Sequence, residues 1–192
     1  MSRHSFIVLE DHPLVLGAIT DHLSTSFPGA TMAYTGAHLH ESLAVAENAQ
    51  ATCAVVDLDL GDGRSPAEIV MRLKDVEVPV VMISAHEQAL LVQAAVSAGA
   101  TAYVPKRSII DQLAEAVVAV ELGQPWISPD FAAVLVPVAG STVSLDPTAE
   151  RALVLYAAGL PESMIASRIG LEVEQVRPLL ELVLQEYRSP NI

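Results

Sequence analysis

Over its first 120 residues the chain alternates short β-branched runs with longer Ala- and Leu-rich amphipathic stretches, and no other feature limits its fold as tightly. Runs that are apolar on both sides need cover on both faces. Parallel neighbours need crossovers long enough to hold a helix, so the pattern predicts a doubly wound α/β unit with a five-stranded parallel sheet. Strands are expected at 5–9, 30–34, 51–58, 78–84 and 101–104, and helices near 13–26, 37–48, 65–75, 87–98 and 108–122. Pro79 opens its strand, where a missing donor is tolerated, and Gly99 is placed to end a helix in the left-handed conformation. A sheet of this kind gathers its ligand at the carboxyl ends of the strands, beside the point where strand order reverses.

At 192 residues there is room for a second, smaller unit. Three prolines and two glycines around apolar pieces mark 123–144 as a linker holding one short helix. Beyond it, 145–192 reads as three short helices, about 147–158, 162–169 and a last one reaching Tyr187, with a Gly170 turn between the second and third. Such an arrangement is similar to a helix-turn-helix.

The side chains are 52% hydrophobic and only 4% aromatic, so the core is built from Ala, Val and Leu. A single cysteine, Cys53, excludes an internal disulfide framework and a Cys-based zinc cluster. Apolar runs are too short to span a bilayer and no signal segment opens the chain, so no membrane contact and a cytoplasmic location are expected. The net charge of -13 opposes binding to a polyanion, and residues 145–192 by themselves hold seven acids against four arginines.

Polar residues concentrate at the strand ends. Glu10 and Asp11 follow the first strand, Asp57 and Asp59 close the third, Ser84 closes the fourth and Lys106 follows the fifth. Carboxylates gathered at one rim repel, and a divalent cation with oxygen ligands relieves that repulsion, which points to Mg²⁺. An Asp in this setting can attack phosphorus once a metal and a lysine neutralise the transferring group. His12, which opens a helix before Pro13, is explained by cap geometry, and Asp59 and Asp62 by solvated turn formation.

The segments FIVLEDHPLVLGAI, VVDLDLGDG, MISAH and GATAYVPK together resemble the receiver domain of response regulators, and DHPLV is similar to the NarL/FixJ branch. The resemblance implies a flavodoxin-like receiver over 1–122. It also implies Asp57 as phosphoacceptor, Asp11 and Glu10 as Mg²⁺ ligands, and Asp59 as a backbone-carbonyl ligand. Ser84 is then the hydroxyl switch, Lys106 the phosphate-binding lysine, and Tyr103 either the aromatic switch or a half-buried strand residue. A sensor histidine kinase or phosphotransfer protein is the implied phosphoryl donor, and the chain is an acceptor, not an enzyme, beyond a weak self-dephosphorylation. Two departures stand out: the acidic, glycine-rich loop Leu60-Gly61-Asp62-Gly63-Arg64, and the order Pro105-Lys106, which puts the reach of the lysine in question.

The segment from Leu145 to Tyr187 resembles the LuxR-type helix-turn-helix of that branch in its first two helices but not in its third. That third helix offers one cation, Arg177, beside Glu172, Glu174 and Glu181, carries Pro178, and is apolar on nearly all sides through Leu179, Leu180, Leu182, Val183 and Leu184. The unit reads as a degenerate, truncated output domain. Arg177, Leu179, Leu182 and Val183 are its expected contact residues, with burial on the rest of the chain, homodimer packing and binding of another protein all open. DNA binding of the LuxR type is the rival output. From another class, Asp57-Leu58-Asp59 with Ser84 and Lys106 resembles the haloacid-dehalogenase-type phosphatase set, but there the two aspartates follow the first strand, not the third.

Overall fold

The computed structural model describes residues 4–85 and 88–188, with only the backbone of Glu47, so His86 of the MISAH segment lies outside the described residues. Five parallel strands, β1 (Ser5–Leu9), β2 (Thr31–Gly36), β3 (Cys53–Asp57), β4 (Val80–Ser84) and β5 (Ala102–Pro105), form one sheet in the order β2-β1-β3-β4-β5. The connecting helices are α1 (Pro13–Ser26), α2 (Leu39–Ala49), α3 (Pro66–Asp75), α4 (Ala89–Ala98) and, after a 3-10 turn at Lys106–Ser108, α5 (Ile109–Glu121). The strand order reverses between β1 and β3, which places a crevice above the carboxyl ends of those two strands.

The period-two alternation of each strand divides the core. Phe6, Val8, Cys53, Val55, Val81, Ile83, Ala102 and Val104 face α1 and α5, where Ile19, Leu23, Leu113 and Val117 cover them. Ile7, Leu9, Ala54, Val56, Met82 and Tyr103 face the other side, under Ile69, Leu73, Val92 and Val96 of α3 and α4. Burial of a Val, Leu or Ile side chain contributes about 1.5–3 kcal/mol, so these two layers supply most of the favourable free energy of the sheet. Gly99 does cap α4 with its N–H bonded to Ala95 O and Val96 O, but at φ +127°, wide of the αL well expected for it.

The second layer does not end at α4. The segment read as a linker returns to the sheet edge, where Trp126 N–H donates to Thr101 O at 3.0 Å, and then forms α6 (Pro129–Leu135). Ser128 caps α6 through its side chain, and Phe131, Ala132, Val134 and Leu135 are buried. Helices α7 (Pro147–Ala157), α8 (Glu162–Ile169) and α9 (Val173–Arg188) follow. Their inward residues Leu153, Ile165, Val176, Leu180, Val183, Leu184 and Tyr187 join the same hydrophobic cluster as the α3/α4 side of the sheet. Among the described residues no helix is long and apolar enough to cross a membrane.

Candidate functional site

Strand register brings the rim together. Leu9 pairs with Val56, Asp57 with Ile83 and Ser84 with Pro105, so Glu10, Asp57, Ser84 and Lys106 end in one row across four adjacent strands in the sheet. Asp57, Ser84 and Glu10 are buried, whereas Asp11 is exposed at the lip.

Lys106 lies at the centre. Its Nζ donates to Asp57 Oδ2 at 2.7 Å and stands 2.7 Å from Glu10 Oε2, the second contact being an ion pair without good hydrogen-bond angle. The Val104–Pro105 bond is trans, and the lysine spans the rim from the 3-10 turn that follows, which answers the question raised by the Pro-Lys order. Burial pushes the Asp57 carboxyl above its ordinary pKa, with Glu10 adding to the rise and Lys106 opposing it. Burial would lower the Lys106 ammonium, but its hydrogen bond to Asp57 and its charge pairing with Asp57 and Glu10 prevail and raise it.

The carboxylates of Glu10, Asp11 and Asp57 and the His12 ring offer ligand atoms that all lie within 4.8 Å of one another. Glu10 Oε2 is buried without a hydrogen bond, and an anionic oxygen in that state is stabilised by a second cation. The donor set is oxygen-rich, as a hard divalent ion requires. His12 is the N-cap residue of α1 ahead of Pro13, as expected, and it also belongs to this rim. Its side chain makes no cap hydrogen bond. Instead its Nδ1 lies 2.7 Å from Asp11 Oδ1 and 3.2 Å from Glu10 Oε1, and the Asp11 charge, then Glu10, raises the imidazole pKa. The only cue available beforehand was its adjacency to two acids.

Asp59 and Asp62 form local turns, as expected. The Asp59 carboxylate is not one of the four clustered groups; its Oδ1 accepts from Gly61 N–H at 3.2 Å in a local turn. Asp62 likewise accepts from Arg64 N–H at 2.9 Å. Tyr103 is fully buried rather than half-buried, with its ring centroid 6.0 Å from that of Phe131 in α6.

In the second unit Val183 is corrected from a contact residue to a core residue with 0% exposure, Leu179 is half-buried, and Leu182 is exposed. The α9 helix is therefore amphipathic, not apolar all round. Arg177, expected to face outward, turns inward. It sits over the Tyr156 ring and donates to Tyr156 Oη at 3.2 Å, to Ile127 O at 3.2 Å and to Glu162. Pro178 lies inside α9, which continues through it to Arg188.

Residues 6–118 match the response regulator receiver domain family. A glycerol metabolism activator of Pseudomonas putida is 25% identical over 130 residues, covering 67% of this chain and 58% of that protein, so the match spans little more than half of that relative's length. The RcsB response regulator of Salmonella typhimurium, in a structure described for its conformational dynamism in DNA interaction, superposes with a TM-score of 0.63 at 17% identity. It covers 100% of this chain and 95% of the other. A LuxR-family two-component response regulator from Aurantimonas sp. SI85-9A1 gives a TM-score of 0.60 at 25% identity over 69% of this chain and 94% of its own.

Proposed function

The chain belongs to the response regulator receiver family, and from that premise we propose that Asp57 is its phosphoacceptor, with Lys106 and Ser84 assisting and Mg²⁺ held by Glu10, Asp11 and Asp57. The observation that carries this reading is the position of Lys106 Nζ, 2.7 Å from Asp57 Oδ2 at the buried end of β3.

In the reaction, a carboxylate oxygen of Asp57 attacks the phosphorus of a donor phosphoryl group. The bond from phosphorus to the donor nitrogen or oxygen breaks, and an acyl phosphate remains on the protein. Bound Mg²⁺ supplies charge neutralisation on the transferring oxygens. Lys106 pairs with a new phosphoryl oxygen in place of the Asp57 oxygen it now holds, and the Ser84 hydroxyl donates to another. The Asp59 main-chain carbonyl completes the metal ligands in this reading. The donor is a sensor histidine kinase or phosphotransfer protein. Leu14, which is 90% exposed at the start of α1, and Ile110, 67% exposed at the start of α5, flank the rim as an apolar landing for it.

The output works through protein contacts, not through sequence reading of DNA. Supporting this, Arg177 of the third helix is committed to Tyr156, Ile127 and Glu162 within its own chain, while Glu172 and Glu174 are exposed. The DNA-binding rival is favoured by the end-to-end likeness to RcsB.

Incubation with acetyl phosphate and Mg²⁺ is expected to add one phosphoryl group by mass in wild type and none in Asp57→Asn; an unmodified wild type removes the reading. Salt-sensitive retention of promoter DNA, strengthened by beryllofluoride, would favour the rival output.

A further inference from the structure

The acidic rim occupies the carboxyl end of the sheet, and the amino end carries a cavity of its own. A cleft of about 920 Å³ opens there between the residues that lead into β1, β3, β4 and β5 and the last turn of α5. That volume lies in the range of small-molecule sites, and its place at the opposite end of the sheet separates it from the phosphoryl chemistry. The walls are mostly apolar, with Val70 of α3, Val78 and Pro79 ahead of β4, and Val118 and Leu122 at the end of α5. Val118 is 45% and Leu122 69% exposed, so large apolar side chains stand open at the cleft.

Two cations converge on Gly99 at this cleft. Arg188, in the last turn of α9, donates through Nη2 to Gly99 O at 3.2 Å and to Ala100 O at 3.4 Å. Lys74, in the last turn of α3, lies along the same glycine: a Cβ placed on Gly99 would stand 3.0 Å from Lys74 Cδ and 3.4 Å from its Nζ. The helix dipole favours a cation at each helix's carboxyl end, which accounts for each residue alone. It does not account for the fold turning both onto one residue, where like charges repel. Among the described residues neither has a carboxylate within ion-pair distance, and burial, with no acid opposing it, holds the Arg188 guanidinium below its ordinary pKa. Of the two acids on the cleft walls, Glu121 is engaged by His4 Nδ1 at 2.8 Å and by the Thr52 hydroxyl, and Glu77 is exposed.

We propose that this cleft binds a small organic monocarboxylate with an apolar body: Lys74 and Arg188 hold the carboxylate, and the body lies on Val70, Val78, Val118 and Leu122. An anion seated between the two cations removes their repulsion and gains charge-assisted hydrogen bonds. A single negative charge suits the cleft better than a phosphate dianion, which Glu77 and Glu121 on the same walls would repel more strongly. The net charge of -13 opposes loose anion binding elsewhere on the surface, so capture depends on this pair.

Titration of the full chain with octanoate, followed by amide NMR and calorimetry, tests the site. Saturable shifts are expected around Gly99 and Leu122 and not at Asp57 or Lys106. Octanol, which lacks the charge, and octyl phosphate, which carries two, should each bind at least roughly tenfold more weakly. Lys74→Gln and Arg188→Gln, both changes on exposed side chains, should leave the fold intact and each weaken octanoate about tenfold, the loss of one charge-assisted hydrogen bond. Shifts that do not saturate, octanol binding as tightly as octanoate, or affinity unchanged in both variants overturns the site. Octyl phosphate binding more tightly than octanoate overturns the carboxylate as its ligand.

Discussion

Lys106 holds two carboxylates at once, and that double contact sets what its removal would do. With Nζ 2.7 Å from both Asp57 Oδ2 and Glu10 Oε2, it is, among the described residues, the only cation within ion-pair distance of either, apart from the exposed His12 ring beside Glu10. Lys106→Met leaves two buried like charges facing each other. Thermal stability without divalent ion is expected to fall, and Mg²⁺ should restore most of it because a bound cation replaces the lost charge. Acyl phosphate formation from acetyl phosphate should slow roughly a hundredfold, as when one oriented charge-stabilising donor is removed, read by intact mass against time. A Mg²⁺-insensitive melting temperature in the variant would argue against the metal set. The identities of Asp57, Asp11 and Lys106 as rim candidates were readable because strand ends in such a sheet converge. The partnership of His12 was not, because its ring direction depends on where the Glu10 and Asp11 carboxylates turn.

Helix α9 shows why an element's composition underdetermines its role. Leu179, Leu180, Leu182, Val183 and Leu184 read as an all-round apolar helix, yet Val176, Leu180, Val183, Leu184 and Tyr187 fall on the inner face and Leu182 lies outside. Leu184→Ala is expected to cost about 2–5 kcal/mol in urea unfolding, whereas Leu182→Ala should change stability by no more than about 0.5 kcal/mol. Equal losses would contradict this orientation. Helix α7 makes a separate prediction through its cap. Thr148 N–H and Ala149 N–H donate to Asp146 and hold its carboxyl below the ordinary range. A depressed folded pKa stabilises the protein above the unfolded value, and that stability is lost as pH falls through the folded value. Asp146→Asn is therefore expected to show a shallower loss of stability than wild type as pH falls below the ordinary carboxylate range, measured by denaturation at a series of acidic pH values; parallel curves would oppose it.

Across the whole molecule one hydrophobic cluster runs from Ile7 and Leu9 of β1 through Val92 of α4 and Phe131 of α6 to Tyr187 of α9. A core without an apolar break predicts one cooperative unfolding transition despite two sequence-level units. Trp126, the single tryptophan, sits at the junction on the edge of β5, so its fluorescence and the far-ultraviolet circular dichroism are expected to change together in urea. Separated midpoints would mean that the receiver and C-terminal helices unfold independently.

By itself the sequence determined the five-stranded parallel sheet, the element boundaries to within two or three residues, and the row of acids and lysine at its rim. Those follow from local alternation and from strand ends, both of which are written in short stretches of chain. Tertiary structure alone decided that the 123–144 segment is packed, that Tyr103 lies beneath Phe131, that Arg177 turns inward and that Val183 is core. Each depends on contacts between residues about 20 to 90 positions apart, and a pattern confined to one helix or one strand carries no record of what will lie across from it.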